Sequence, residues 1–142
     1  MSQENVAVVR RMVEDHWNGR NPGLVSELFA PNVVLETPDG PIAGHDGVLG
    51  LLQTYETAFP DFHDSIEALL DAGDHVVLQW RFTGTHRGSL AGIPASGRQV
   101  NTGPGIAIIR VKGGKISSGQ FVWDKYDLLQ QMGVLPESAA AV

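Results

Sequence analysis

The amino-acid sequence predicts an α+β fold, with helices packed on one face of a curved antiparallel sheet. Helical periodicity dominates before residue 59, whereas the alternation of apolar and polar residues that is typical of strands dominates from residue 62 to residue 123. Helices that precede a run of strands favour α+β over an alternating α/β arrangement. Gly103 and Gly105 lie within one predicted strand, where glycines indicate the bends that a strongly curved sheet needs.

Four helices are predicted from periodicity and end signals. An amphipathic helix is expected over residues 5–17, because Val6, Val9 and Val13 share one face with His16 and Trp17. Glycine and proline within residues 18–22 end this helix. A short helix is expected over 23–29, a long one over 45–58 and a last short one over 127–132.

Five strands are predicted, over residues 33–37, 62–71, 75–85, 99–111 and 115–123. Turn-forming residues separate them at 38–41, 72–74 and 112–114. The sequence contains no repeat and no linker composition. Residues 1–142 are therefore expected to form a single domain, with residues 139–142 as a frayed tail.

Composition excludes several functional classes. The net charge is −6 and the 10 basic residues form no stripe, which argues against nucleic-acid binding. The chain has no cysteine, so disulfides and thiolate chemistry are excluded. The histidines lack metal-ligand spacing, and we expect neither a metal nor a cofactor. A polar N-terminus and the absence of a long apolar run predict a cytoplasmic protein without a membrane partner.

Three segments carry a resemblance to a known family. Residues 84–88 (Gly-Thr-His-Arg-Gly), residues 92–98 and the segment 114–136 together resemble the SnoaL-like polyketide cyclases of the NTF2-like superfamily. The resemblance implies a cone-shaped domain with a single pocket. It also implies cofactor-free acid–base chemistry, such as cyclisation, isomerisation or dehydration, on a hydrophobic polyketide-like or related carbonyl substrate.

The sequence departs from that family at the expected reactive positions. The resemblance implies an aspartate on the last strand, but this chain has Phe121 there. Two polar pocket positions on the preceding strand correspond to Gly105 and Ala107. The usual cyclase mechanism therefore cannot be transferred residue by residue, and we expect a wider and more apolar pocket.

Three residues are candidates for catalysis. His16 lies on the apolar face of the first helix, where an imidazole could exchange protons near neutral pH or simply end the helix. Glu36 lies in an apolar strand; it would be a base with a raised pKa if it points inward, and a surface residue if it points outward. Asp124 adjoins the last strand, where it would orient the substrate at the pocket mouth or cap the last helix.

A second set of residues could form a wall that binds the substrate. Most are aromatic, which suits a flat apolar ligand, although the same residues could simply fill the core. Thr37 is included because some relatives use this position. The candidates are Trp17, Thr37, Tyr55, Phe59, Trp80, Phe82, Phe121 and Trp123.

Two functional hypotheses follow. In the first, the protein is a small enzyme that binds a hydrophobic small molecule, with His16 and Glu36 as acid and base. In the second, it is a binding or scaffold protein that uses the same fold without chemistry, as the Phe121 replacement favours. In either case the resemblance implies a homodimer, because curved sheets in the NTF2-like superfamily often pair through their outer faces. The apolar run 106–109 has side chains on both faces, which suits a strand covered on both sides.

Overall fold

A computed structural model describes residues 2–134, excluding the side chain of residue 2. The predicted tail at 139–142 lies outside the described residues. Within them a six-stranded sheet has the order β2-β1-β6-β5-β4-β3. The strands are β1 Phe29–Thr37, β2 Gly40–Ala43, β3 His63–Ala72, β4 His75–Thr85, β5 Gln99–Lys112 and β6 Lys115–Val122. The helices are α1 Ser2–Arg11, α2 Val25–Leu28, α3 Gly44–Ala58 and α4 Lys125–Gln131.

The α+β prediction is confirmed, with two local differences. The turn predicted at 38–41 is the tip of a hairpin, since β2 pairs antiparallel with β1. β2 was missed because its four residues carry no alternation of buried apolar side chains. β1 starts at Phe29 rather than residue 33, and it pairs with β6 in parallel, so the sheet is not wholly antiparallel.

The first helix changes its winding halfway along. After α1 the chain continues as a π-helical segment, Met12–Trp17, where the N–H groups of Asn18 and Asn21 donate to carbonyls five residues earlier. The predicted inward face is confirmed: Val9, Val13 and His16 are buried. His16 and Trp17 are the last two residues of this segment; His16 is buried and Trp17 is half-buried.

Alternation on the central strands builds the core. On β4, every second residue from Val76 to Phe82 is buried. On β5, Ala107 and Ile109 are buried in the same alternating pattern. The side chains between them, such as Ile106, point to the outer face. The helices therefore cover one face of the sheet, and the cavities described below lie on that covered face. No helix within residues 2–134 is long and apolar enough to span a membrane.

Candidate functional site

Two adjoining cavities lie between the helices and the inner face of the sheet. The first has a volume of about 90 Å³. Its walls are largely apolar. They are formed by Trp17, Leu51, Tyr55, Asp64, Trp80, Phe82, Thr102, Gly103, Gly105, Trp123 and Leu128.

The second cavity, of about 70 Å³, lies under the first helix. It shares Trp17, Leu51 and Asp64 with the first cavity, so these three side chains form a partition between the two. His16 lines only this second cavity. The single pocket expected from the sequence is thus divided in two by side chains.

Among residues 2–134, Asp64 is the one carboxylate on the walls of either cavity. It lies near the start of β3, and its Oδ1 atom is buried without a hydrogen-bond partner. Burial raises the pKa of this carboxyl to about 8, and the positive charge of Arg20 opposes the rise. The Asp64 side chain is therefore predominantly protonated at neutral pH.

Asp64 is not among the site residues predicted from the sequence, although the sequence contains a signal for it. Phe62, Asp64 and Ile66 alternate at strand spacing, and the two apolar members indicate an inward face. An acid between them would be expected to point inward as well. In the structure Phe62 is buried and Asp64 and Ile66 are half-buried, whereas His63 and Ser65 are exposed.

Asn18 fixes the backbone of Asp64. Its side-chain amide donates to the Asp64 carbonyl at 2.8 Å, and its Oδ1 accepts from the Asp64 N–H at 2.8 Å. The Arg20 guanidinium donates to the Phe62 carbonyl at 2.6 Å and stacks 3.8 Å from the centre of the Phe62 ring. The loop that follows His16 and Trp17 is thereby tied to the strand that carries Asp64.

His16 reaches the second cavity in a neutral form. Its Nδ1 lies 3.1 Å from the carbonyl oxygen of Asn21, and because a carbonyl only accepts, Nδ1 carries the proton. Burial lowers the pKa of His16, and the bond to Asn21 opposes that shift. The imidazole is then uncharged at neutral pH, with Nε2 as an acceptor.

The other two candidate catalytic residues lie away from the cavities. Glu36 is exposed on the outer face of β1, where it lines a shallow groove with His75 and Arg110. Asp124 is exposed and caps α4, with its Oδ1 accepting from the Asp127 N–H at 2.8 Å. These positions correspond to the outward alternative for Glu36 and the capping alternative for Asp124.

The candidate wall residues divide into two groups. Five of them line the first cavity: Trp17, Tyr55, Trp80, Phe82 and Trp123.

The remaining three lie outside the walls of both cavities. Phe59 is fully buried against Tyr55 and Phe82. The Thr37 hydroxyl closes the β1–β2 turn by donating to the Gly40 carbonyl at 2.7 Å. Phe121 packs against Trp80, with ring centres 5.9 Å apart.

Chemically, the site combines one neutral carboxylic acid, aromatic walls and a neutral imidazole behind the partition. Such a site can bind a flat apolar molecule and move a proton. Within the described part of the chain, no group of three or more histidine, aspartate or glutamate residues is placed to hold a metal ion.

Known proteins share this sequence pattern and this fold. The sequence model described as "SnoaL-like polyketide cyclase" matches residues 7–132. No curated protein matches the chain. Among solved structures, a candidate SnoaL-like polyketide cyclase from Jannaschia sp. CCS1 has a TM-score of 0.86 at 21% identity, with 95% of each chain covered.

Two further structures are similar at somewhat higher identity. A candidate polyketide cyclase from Bacillus cereus has a TM-score of 0.79 at 28% identity, covering 94% of this chain and 83% of the other. IdmH, a candidate polyketide cyclase from Streptomyces antibioticus, has a TM-score of 0.77 at 25% identity, covering 90% of this chain and 97% of its own.

Proposed function

The chain belongs to the SnoaL-like polyketide cyclase family, and on that premise we propose that it is a cofactor-free acid–base enzyme acting on a hydrophobic, polyketide-like carbonyl compound. The observation that carries the proposal is Asp64, a half-buried residue on the wall of an apolar cavity, whose carboxyl pKa is raised by burial to about 8. In this proposal Asp64 supplies the proton transfer that the family places at the position of Phe121.

The chemistry follows from the two protonation states of Asp64. The ionised carboxylate removes a proton from the carbon next to the substrate carbonyl, and the C–H electron pair moves into an enolate. The protonated carboxyl then returns the proton to a different carbon of a conjugated enolate, which isomerises the substrate. Alternatively, the enolate carbon attacks a second carbonyl and closes a ring, and the alkoxide formed from that carbonyl takes the proton from the carboxyl. A pKa near 8 keeps both states accessible at working pH, which favours general acid–base catalysis.

The proposal retains only part of the set of catalytic residues expected from the sequence. His16 stays as a neutral acceptor behind the partition, able to exchange a proton with Asp64 through water in the second cavity. Glu36 is left out because its side chain lies on the other face of the sheet. Asp124 is given the role of helix cap.

The experiment that tests this function follows proton exchange rather than a native substrate. 1-Indanone is a flat bicyclic ketone whose protons next to the carbonyl exchange with D₂O through an enol. We expect the protein to accelerate this exchange about 100-fold or more at pH 8. Nuclear magnetic resonance (NMR) of the ketone measures the rate directly.

Two variants make the exchange test specific. Asp64→Asn should abolish the acceleration, whereas Glu36→Gln should retain it because Glu36 lies on the outer face. The rate should also rise with pH to a plateau, with a midpoint near pH 8, as the carboxylate forms. Binding of 1-indanone without any acceleration would instead support the non-catalytic binding protein.

We also propose that two copies pair through the outer face of the sheet. Ile106 and Val122 are direct neighbours across β5 and β6, and Val122 and Ile108 are 64% and 49% exposed. Glu36 and Arg110 border the same face, so a two-fold arrangement could set opposite charges against each other. Burying this apolar centre would stabilise a dimer.

Light scattering at micromolar concentration tests the dimer. Ile108→Asp should convert a dimer to a monomer, whereas Tyr126→Asp, an exposed position on α4, should leave the mass unchanged. A monomer mass for the unmodified protein would refute the pairing.

A further inference from the structure

The indole Nε1 of Trp17 is buried and has no hydrogen-bond partner. Buried N–H groups without a partner are rare, and each one calls for an explanation, of which a functional role is one. The Trp17 side chain lines both cavities, as does Asp64, whose Oδ1 is also buried without a partner. Two unsatisfied polar atoms thus belong to the same partition.

Two of the candidate wall residues carry hydroxyl groups, and both hydroxyls are already engaged. The Tyr55 hydroxyl points toward a carboxylate oxygen of Asp39 at 3.4 Å, and burial, together with Asp39, raises the pKa of Tyr55. The Thr37 hydroxyl bonds within the β1–β2 turn. Thr102 also lines the first cavity, so its hydroxyl is the competing donor that an experiment must separate from Trp17.

The Trp17 ring is held firmly in place. It packs against Phe62 with ring centres 4.8 Å apart and against Tyr55 at 5.8 Å. The next residue, Asn18, makes the two 2.8 Å hydrogen bonds that fix Asp64. Donor and acid are therefore positioned relative to each other before any ligand arrives, which is the condition for stabilising charge that develops on an oxygen.

We propose that the indole N–H of Trp17 holds the carbonyl or enolate oxygen of the substrate beside Asp64. This inference rests on the proposed function and specifies the ligand further: a flat apolar frame that bears one accepting oxygen. In the reaction, Asp64 moves the proton at carbon, and Trp17 stabilises the negative charge that the oxygen acquires.

The test compares two ligands with the same frame. 1-Indanone carries the oxygen, and indane lacks it. We expect about fivefold tighter binding of 1-indanone, the typical effect of one hydrogen bond. The chain has three tryptophans, so its spectrum has three indole N–H resonances, and that of Trp17 should move downfield with 1-indanone but not with indane.

Three variants separate the possible donors. Trp17→Phe keeps an aromatic ring but removes the N–H, so binding of 1-indanone should fall to the level of indane. Trp123→Phe makes the same change elsewhere on the first cavity, and it should preserve the ratio of the two affinities. Thr102→Val should also preserve that ratio.

The Trp17 resonance and the ratio of the two affinities decide whether Trp17 or Thr102 is the donor. An unmoved Trp17 resonance in the unmodified protein, or loss of the affinity ratio in Thr102→Val, overturns the inference. The resonance is measured without any substitution, so the test holds even if Trp17→Phe fails to fold. A Trp17 shift without proton exchange would support the oxygen-binding role and refute the proposed reaction.

Discussion

Trp80 occupies the space that a side chain at position 105 would need. A Cβ placed on Gly105 would lie 2.5 Å from two carbons of the Trp80 indole, far inside van der Waals contact. A Cβ on Gly119 would similarly meet the Phe121 ring at 2.8 Å. Positions 105 and 121, where the family resemblance implies polar residues, thus belong to one aromatic cluster. In this cluster the Trp80 ring covers Gly105 and contacts Phe121.

This packing predicts a strong coupling between positions 105 and 80. Gly105→Ser should destabilise the protein by about 1–3 kcal/mol, because the buried indole must move. In a Trp80→Phe background the same substitution should cost less, since the smaller ring frees that space. Urea unfolding of the four proteins measures the coupling, and strictly additive effects would refute it.

At the scale of elements, the connection between the first helix and β3 shapes the site. The π-helical segment carries His16 and Trp17, and Asn18 joins its end to Asp64. α4 contributes Leu128 to the wall of the first cavity. The start of α4 depends on the cap that Asp124 provides.

The cap gives a prediction that separates structure from catalysis. Asp124→Ala should lower the free energy of unfolding by about 1 kcal/mol, and Asp124→Asn by less, because asparagine also caps helices. Both variants should retain proton exchange on 1-indanone. Loss of exchange in a fully folded Asp124→Asn protein would return Asp124 to the catalytic residues.

The sequence was sufficient for elements whose side chains alternate or repeat strongly. The helix predicted at 45–58 and the strand at 75–85 agree with α3 and β4 within one residue. Glu36 shows the limit, because a strand's inward face depends on its register in the sheet. Burial follows Val33 and Leu35 on β1, which puts Glu36 outside. The cytoplasmic location stays a prediction.

At the scale of the whole molecule, Asp64 ties stability to pH. Its pKa is about 8 in the folded chain, against about 3.9 for an unfolded aspartate. Between these values only the folded state keeps the proton, so stability is lost as the pH rises through this window. The contribution is fully present below about pH 4 and is exhausted above about pH 8.

The expected result is a difference between two closely matched proteins. Relative to Asp64→Asn, which cannot ionise, the unmodified protein should lose stability at a limiting slope of about 1.4 kcal/mol per pH unit between pH 4 and pH 8. Urea unfolding at several pH values measures both. Parallel pH profiles would contradict a protonated Asp64.

The central claim is that Asp64 is a protonated acid at neutral pH, and its carboxyl carbon reports this directly. A ¹³C NMR titration, with Asp64→Asn to assign the resonance, should give a midpoint near pH 8. A midpoint near pH 4, the value of an exposed aspartate, would contradict the account, because Asp64 would then be an ordinary ionised carboxylate.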